Sequence, residues 1–109
     1  MQRQALVLID FDLEGYHFYP DPPKEVEFLG HSHRHLFQIK MGFEVTDMNR
    51  EIEIFMMTGT VKEYINERFG TPAIFRDMSC EHIAEDLLNK FNAKFVEVLE
   101  DGKGGARVE

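Results

Sequence analysis

The chain has 109 residues, of which 43% are hydrophobic and 29% are charged, and its formal net charge is −8. These values are typical of one globular domain over residues 1–109, and the acidic balance argues against nucleic acid or an anionic membrane as the main partner. A single cysteine excludes an internal disulfide framework, and no stretch approaches the roughly 20 apolar residues that cross a bilayer. The N-terminus does not resemble a signal peptide, so we expect a cytoplasmic protein with no membrane partner.

Alternating apolar residues predict two strands in the first half of the chain. The first covers residues 4–13 and has its apolar positions at odd numbers: Val7, Ile9, Phe11 and Leu13. Gly15 is interpreted as a bulge or bend in a continuation through Tyr19, and the prolines that follow end the strand. The second strand runs from His35 to Val45, again with mostly apolar residues at odd positions.

The second half predicts two helices and three shorter strands. In chain order these are a turn at 47–50, a strand at 52–56, a helix from Thr58 or Thr60 to about Arg68, a helix from Ser79 to about Asn92, and strands at 94–100 and 106–109. Gly70 is predicted to end the first helix, and residues 71–78 are predicted to be irregular. Together the elements predict an α+β fold with an antiparallel sheet and two helices packed on one face.

Four of the five histidines lie between positions 17 and 35. His31, His33 and His35 alternate, so they point toward the apolar face if the second strand extends back through them, and His17 has the inward parity of the first strand. Imidazoles that converge on an apolar face need a partner, because burying a charge is costly and zinc accepts neutral imidazole nitrogen. An H-x-H pair and one histidine from a neighbouring strand therefore predict a zinc site with an open fourth position, as in catalytic zinc sites.

The same histidines have a simpler interpretation. A run such as residues 31–35 also occurs at the solvated end of a loop, and an isolated H-x-H spacing is common. His35, next to the apolar run, is interpreted as a core or pocket histidine rather than as a ligand.

Three segments, in this order, resemble the 6-pyruvoyl-tetrahydropterin synthase family, which includes the 6-carboxy-tetrahydropterin synthases of queuosine biosynthesis. His17 followed by Gly30-His31-Ser32-His33 is similar to the family's strand-borne histidine and its later H-G-H. Residues 79–84 (SCEHIA) are similar to the family's T/S-x-E-N-hydrophobic-A, and residues 95–101 (FVEVLED) to its closing V-x-V-x-E-T strand.

The resemblance implies the tunnelling fold (T-fold), in which three subunits join their sheets into a barrel and two such rings stack. We therefore expect a homo-oligomer, a trimer or a hexamer, with sites at subunit interfaces. The resemblance also implies that His17, His31 and His33 hold zinc, and that Glu100 binds the ring of a pterin or purine ligand.

Two parts of the family's catalytic machinery have no direct counterpart. No cysteine precedes the H-x-H pair, and Glu27 lies one residue farther from it than in the family members that use glutamate instead; this residue is either a general base or an exposed charge at a strand edge. The family's D-H-x-x-L-N segment is missing, and residues 70–78 contain no histidine. Cys80, in the first turn of the second predicted helix, is either a reactive thiol favoured by the helix dipole or a packing residue.

Two functions follow from these observations. The first is a zinc-dependent lyase-type enzyme acting on a dihydroneopterin triphosphate-like pterin, in which zinc polarises substrate oxygens and Glu27 or another base moves a proton. The second is a catalytically degenerate T-fold zinc protein that binds a pterin or purine without turnover. The missing cysteine, the missing D-H segment and the acidic composition, which suits a triphosphate poorly, favour the second. The three zinc-binding histidines, which a scaffold would not need, favour the first, and we expect the first.

Overall fold

The computed structural model describes residues 3–109 and contains one open, five-stranded sheet with helices. In chain order the elements are β1 (Ala5–His17), a 3-10 helix (Lys24–Gly30), β2 (His33–Val45), α1 (Ile54–Phe69), β3 (Ala73–Arg76), α2 (Cys80–Phe91), β4 (Phe95–Glu100) and β5 (Gly104–Val108). The strand order is β3-β1-β2-β4-β5. The predicted α+β class is confirmed, but the sheet is mixed rather than antiparallel throughout, because β3 pairs with β1 in parallel.

The core lies between one face of this sheet and the two long helices. At its centre Phe37, Ile39 and Met41 of β2 have no exposed surface. Helix α1 packs on β1 and β3, and α2 packs on β4 and β5, with the buried residues of both helices in the same apolar cluster. Each large apolar side chain buried in this way contributes about 1.5–3 kcal/mol. A slip of β2 by one residue would expose all of them, so the core fixes the direction in which every side chain of β2 points.

Helix α1 begins at Ile54, and the strand predicted at 52–56 is not formed. The side chain of Glu53 caps the helix by accepting hydrogen bonds from the backbone N–H groups of Phe55 and Met56. A strand directly after β2 would also find both edges of β2 already paired, one with β1 and the other with β4. The apolar alternation therefore belongs to the first turn of a helix rather than to a strand.

A short edge strand, β3, lies in the segment predicted to be irregular. It runs beside the end of β1, where Gly15 pairs with Ala73, and its Phe75 is buried against the ring of Phe37 with 5.1 Å between centroids. The predicted bulge at Gly15 is not found, because β1 pairs with β2 without interruption. The irregularity lies instead between Tyr16 and His17, in the pairing of β1 with β3. β1 ends at His17, short of the predicted continuation.

The C-terminal elements follow the prediction closely. Ser79 caps α2 by accepting a hydrogen bond from the backbone N–H of His82 at 3.1 Å, and Asn92 ends the helix with a φ of 53°. The turn at residues 101–103 joins β4 to β5 as a hairpin. This hairpin and the start of α2 lie at the end of the sheet where β1 ends and β2 begins, so they frame the histidines of both strands.

Candidate metal centre

Four potential metal ligands meet at this end of the sheet: His17, His33, His35 and Glu100. One ligand atom from each lies within 4.8 Å of those of the other three. His17 is the last residue of β1, His33 and His35 open β2, and Glu100 ends β4. Residues separated by 83 positions in the chain are thus brought together by three adjacent strands.

Strand register explains why these side chains share one face. His17 pairs directly with His33, and Glu100 pairs with Phe37, so each pair projects to the same side of the sheet. The odd parity of β2 carries His33 and His35 to the face of the buried Phe37. The aromatic ring of Phe37 lies beneath the group, with its centroid 5.2 Å from that of His17 and 5.7 Å from that of His35.

Each of the three imidazoles has its Nδ1 atom beside a fixed acceptor. The Nδ1 of His17 lies 3.0 Å from the carbonyl oxygen of Met78, and that of His33 lies 2.9 Å from the carbonyl oxygen of His31. The Nδ1 of His35 lies 2.7 Å from Oδ2 of Asp101. A carbonyl or carboxylate oxygen only accepts, so Nδ1 carries the proton in all three rings. In the neutral ring the free lone pair is then on Nε2, which is the usual arrangement of a metal-binding histidine.

The Nε2 atoms of His17 and His35 are buried and lack a hydrogen-bond partner. They lie 2.8 Å and 3.4 Å from the carboxylate oxygens of Glu100, but the alignment is not that of a hydrogen bond. Burial lowers the pKa of His17, and the neighbouring His33 and His35 lower it further, against opposing effects of the Met78 carbonyl and Glu100. A neutral His17 holds its Nε2 lone pair close to a carboxylate, which is repulsive unless a cation lies between them.

This donor set fits a metal ion. Three imidazole nitrogens and one carboxylate are ligands that zinc accepts in tetrahedral sites, and the two orphaned Nε2 atoms are the atoms that an ion would satisfy. The group could therefore bind a metal ion.

A cavity of about 550 Å³ opens beside the group and has His17, His33 and Glu100 in its wall. Residues 77–82 at the start of α2 form a second wall, and Gly104 and Gly105 of β5 form a third. This volume lies in the range typical of small-molecule sites. The wall contains the carboxylates of Asp77, Glu81 and Glu100 and no Lys or Arg from the described part of the chain.

The structure brings together three of the four residues that the sequence suggested for the metal and the ligand. His17, His33 and Glu100 belong to the group, whereas the exposed His31 does not, and only its backbone carbonyl contacts His33. The group gains His35, which the sequence analysis interpreted as a core or pocket histidine. Its parity with Phe37 was visible in the sequence, but no pattern indicated that Asp101 would hold its Nδ1.

The two candidate catalytic residues have different environments. Glu27 is exposed on the 3-10 helix and lies outside the metal-binding group. Cys80 is buried, and its Sγ lies 3.6 Å from Oε2 of Glu100. Burial and the adjacent carboxylate raise the pKa of the Cys80 thiol to about 12, and these effects outweigh the lowering expected from the helix dipole. The thiol is therefore protonated at neutral pH and donates to Glu100.

Comparison with known protein families and with curated protein sequences gives no match. Within residues 3–109, no helix combines the length and the apolar character that crossing a bilayer would demand.

Proposed function

We propose that this chain is a zinc-dependent, lyase-type enzyme that acts on a pterin-like molecule held in the cavity beside His17, His33 and His35. The observation that carries the proposal is the convergence of three imidazoles next to an open cavity, with their Nδ1 atoms beside acceptors and one ligand atom of each ring within 4.8 Å of those of the other two. A purely structural role would not require that cavity, because structural zinc sites are closed.

The metal ligands in this proposal are His17, His33 and His35. Zinc bound there would supply Lewis acidity toward a hydroxyl or carbonyl oxygen of the ligand. The buried Phe37 supports two of the three rings, and the fixed Nδ1 contacts hold all three without rearrangement. The H-x-H of the resembled family then corresponds to His33-Arg34-His35, two positions later than the sequence alone suggested.

The cavity wall supports a pterin-like ligand without a triphosphate. An acidic pocket suits a heterocycle whose amino and ring N–H groups donate to carboxylates, and Glu100 is placed to accept from them. A highly phosphorylated side chain would meet Asp77 and Glu81 with no positive charge from the pocket wall of the described chain. His82 also lines the cavity outside the metal group, and its imidazole can both donate and accept a proton, which makes it our candidate for moving a proton.

The T-fold assembly is part of the same proposal. The sheet is open, and its edge strands β3 and β5 have unpaired backbone groups available to strands of other subunits. Three subunits joined at these edges would form the barrel that the resemblance implies, and residues of a neighbouring subunit could then complete the cavity.

One observation favours the alternative, a zinc protein that binds a pterin or purine without turnover. Neither candidate base is poised for proton transfer, because Glu27 is solvent-exposed outside the group and Cys80 has a pKa raised to about 12. A bound ligand would then meet a metal, but neither Glu27 nor Cys80 would serve as an activated base.

Metal analysis of purified variants tests the site. The wild-type chain should hold about one zinc ion, since one ion satisfies all the clustered nitrogens. His33→Ala and His35→Ala should lose it, whereas His31→Ala and His82→Ala, the matched controls, should retain it. Loss in His31→Ala with retention in His35→Ala would contradict the ligand set proposed here.

Turnover distinguishes the two functions. The zinc-loaded chain is incubated with 7,8-dihydroneopterin and, separately, with its triphosphate, and products are separated by chromatography. A new pterin that disappears in His33→Ala supports the lyase. Tight binding of the pterin with no product supports the binding protein, and neither binding nor product refutes both.

A further inference from the structure

Glu100 lies in the wall of the cavity, with its carboxylate against the histidines. One carboxylate oxygen is 2.8 Å from Nε2 of His17, and the other is 3.4 Å from Nε2 of His35. In a tetrahedral zinc site with bonds of about 2.0–2.1 Å, neighbouring ligand atoms are separated by about 3.4 Å. The distance to His35 equals this spacing and the distance to His17 is 0.6 Å shorter, so the carboxylate lies next to the position that a fourth ligand would take.

Two contacts hold Glu100 in this position. The Cys80 thiol, at the start of α2, donates to Oε2 with 3.6 Å between Sγ and the oxygen. The next residue, Asp101, contacts the opposite nitrogen of the His35 ring, and its other carboxylate oxygen accepts a hydrogen bond from the backbone N–H of Leu36 at 2.9 Å. The end of β4 is thereby fixed to the start of β2 on both sides of His35.

We propose that Glu100 is the fourth protein ligand of the metal, and that a ligand entering the cavity must displace it. This inference rests on the three-histidine zinc site of the proposed function. In the resting protein His17, His33, His35 and Glu100 close the coordination sphere, so no position is open to water or substrate.

The two tasks of Glu100 compete for the same carboxylate oxygens. Both oxygens lie against histidine Nε2 atoms, so accepting hydrogen bonds from the amino edge of a heterocycle in the cavity would draw the carboxylate away from the metal. A heterocycle that captures Glu100 therefore opens the metal to an oxygen atom of the same ligand. Binding of the ring by Glu100 and opening of a coordination position on the metal would therefore occur together.

Cobalt(II) substitution provides the experiment, because the visible bands of cobalt are intense in four-coordinate sites and weak in six-coordinate ones. The wild-type chain, Glu100→Gln and Glu97→Gln are loaded with cobalt, and the affinity is measured by competition with a chelator. Glu97 lies on the same strand with opposite parity and pairs with Arg107, so it is the matched control.

We expect intense four-coordinate bands for the wild type and for Glu97→Gln. Glu100→Gln should show weaker bands and should bind the metal at least tenfold less tightly. A tenfold loss is the smallest usually seen when a group that hydrogen-bonds to a metal ligand is removed, and Glu100 is proposed to be a ligand itself. The melting temperatures of the metal-free wild type and variants should be similar. The loss of cobalt affinity would then be due to the metal site and not to unfolding. Addition of 7,8-dihydroneopterin should change the wild-type bands, since it displaces Glu100.

The outcomes separate this inference from the proposed function. If the wild type and Glu100→Gln each bind one cobalt ion with equal affinity and identical bands, Glu100 is not a ligand, although the three-histidine site stands. If dihydroneopterin binds to the wild type and leaves the bands unchanged, displacement is refuted. A wild-type chain that binds no cobalt or zinc refutes the proposed function itself.

Discussion

Asp101 orients one imidazole of the candidate metal centre. Its Oδ2 lies 2.7 Å from Nδ1 of His35, which fixes the proton on Nδ1 and leaves Nε2 free. The hydrogen bond between Oδ1 and the backbone N–H of Leu36 lowers the pKa of Asp101, and the contact with His35 lowers it further, so the residue is a carboxylate at neutral pH. The carboxylate also fixes the orientation of the His35 ring, as groups hydrogen-bonded to metal-binding histidines do.

Asp101→Asn should weaken zinc binding by about 10- to 100-fold, which is the usual effect of losing a group that hydrogen-bonds to a metal ligand. The amide oxygen of asparagine could still accept from Leu36, but its NH₂ group cannot accept from His35. Zinc affinity is measured by competition with a chelator. Asp12→Asn, an exposed carboxylate on the other face of β1, is the control and should leave the affinity unchanged. Equal affinities in both variants would show that Asp101 does not position His35.

The sequence could predict that histidines converge here, but not which of the alternate ones. His31, His33 and His35 share one parity, and parity says nothing about where a strand begins. The choice depends on the 3-10 helix, which ends at Gly30 and holds His31 outside the sheet, so that β2 starts at His33 opposite His17. No periodic pattern in residues 24–30 indicated that helix.

Elements with strong local patterns were predicted well, and elements defined by their neighbours were not. Helix α2 has a capping serine and an apolar stripe, and both are found in the structure. The alternating residues at 52–56 suit a strand or a helix terminus equally, and only the pairing of both edges of β2 decides between them. β3 has four residues, too few for a pattern, and it forms because the end of β1 offers a free edge and Phe75 fills the space below it.

The contact between β1, β2 and β3 depends on a missing side chain at Gly15. A Cβ atom at this position would lie 2.9 Å from the ring of Phe75 and 3.0 Å from that of Phe37. Both rings are buried and cannot move aside freely, so Gly15→Ala should destabilise the fold by about 1–3 kcal/mol, as overpacking of a core does. Chemical denaturation measures the change.

Gly59 supplies the comparison for this prediction. It is exposed in α1, and nothing lies within 4 Å of an added Cβ. Gly59→Ala should therefore stabilise the protein by about 0.5–1 kcal/mol, because alanine restricts the unfolded chain and favours a helix. Opposite signs for the two variants are expected; a neutral Gly15→Ala would mean that the strands do not pack as closely as described here.

At the scale of the whole molecule, the candidate metal centre ties the sheet together near one end. Its ligands come from β1, β2 and β4, whereas α1, β3 and α2 lie between β2 and β4 in the chain. An unfolded chain does not hold these four side chains together, so an ion bound by them would strongly prefer the folded state. The net charge of −8 further favours a cation over an anion as the bound species.

Zinc should therefore raise the thermal stability of the entire domain. At a free zinc concentration 100 times the Kd, preferential binding contributes about 2.7 kcal/mol, equivalent to an increase of roughly 10 °C or more in Tm for a domain of this size. Differential scanning calorimetry of the zinc-loaded and the EDTA-treated chain measures the shift. The double variant His33→Ala/His35→Ala should melt at one temperature under both conditions, since it lacks two of the ligands. An equal zinc-dependent shift of Tm in that variant would place the ion elsewhere. No shift of Tm in the wild type would show that the converging imidazoles do not bind zinc, although their buried lone pairs require a partner.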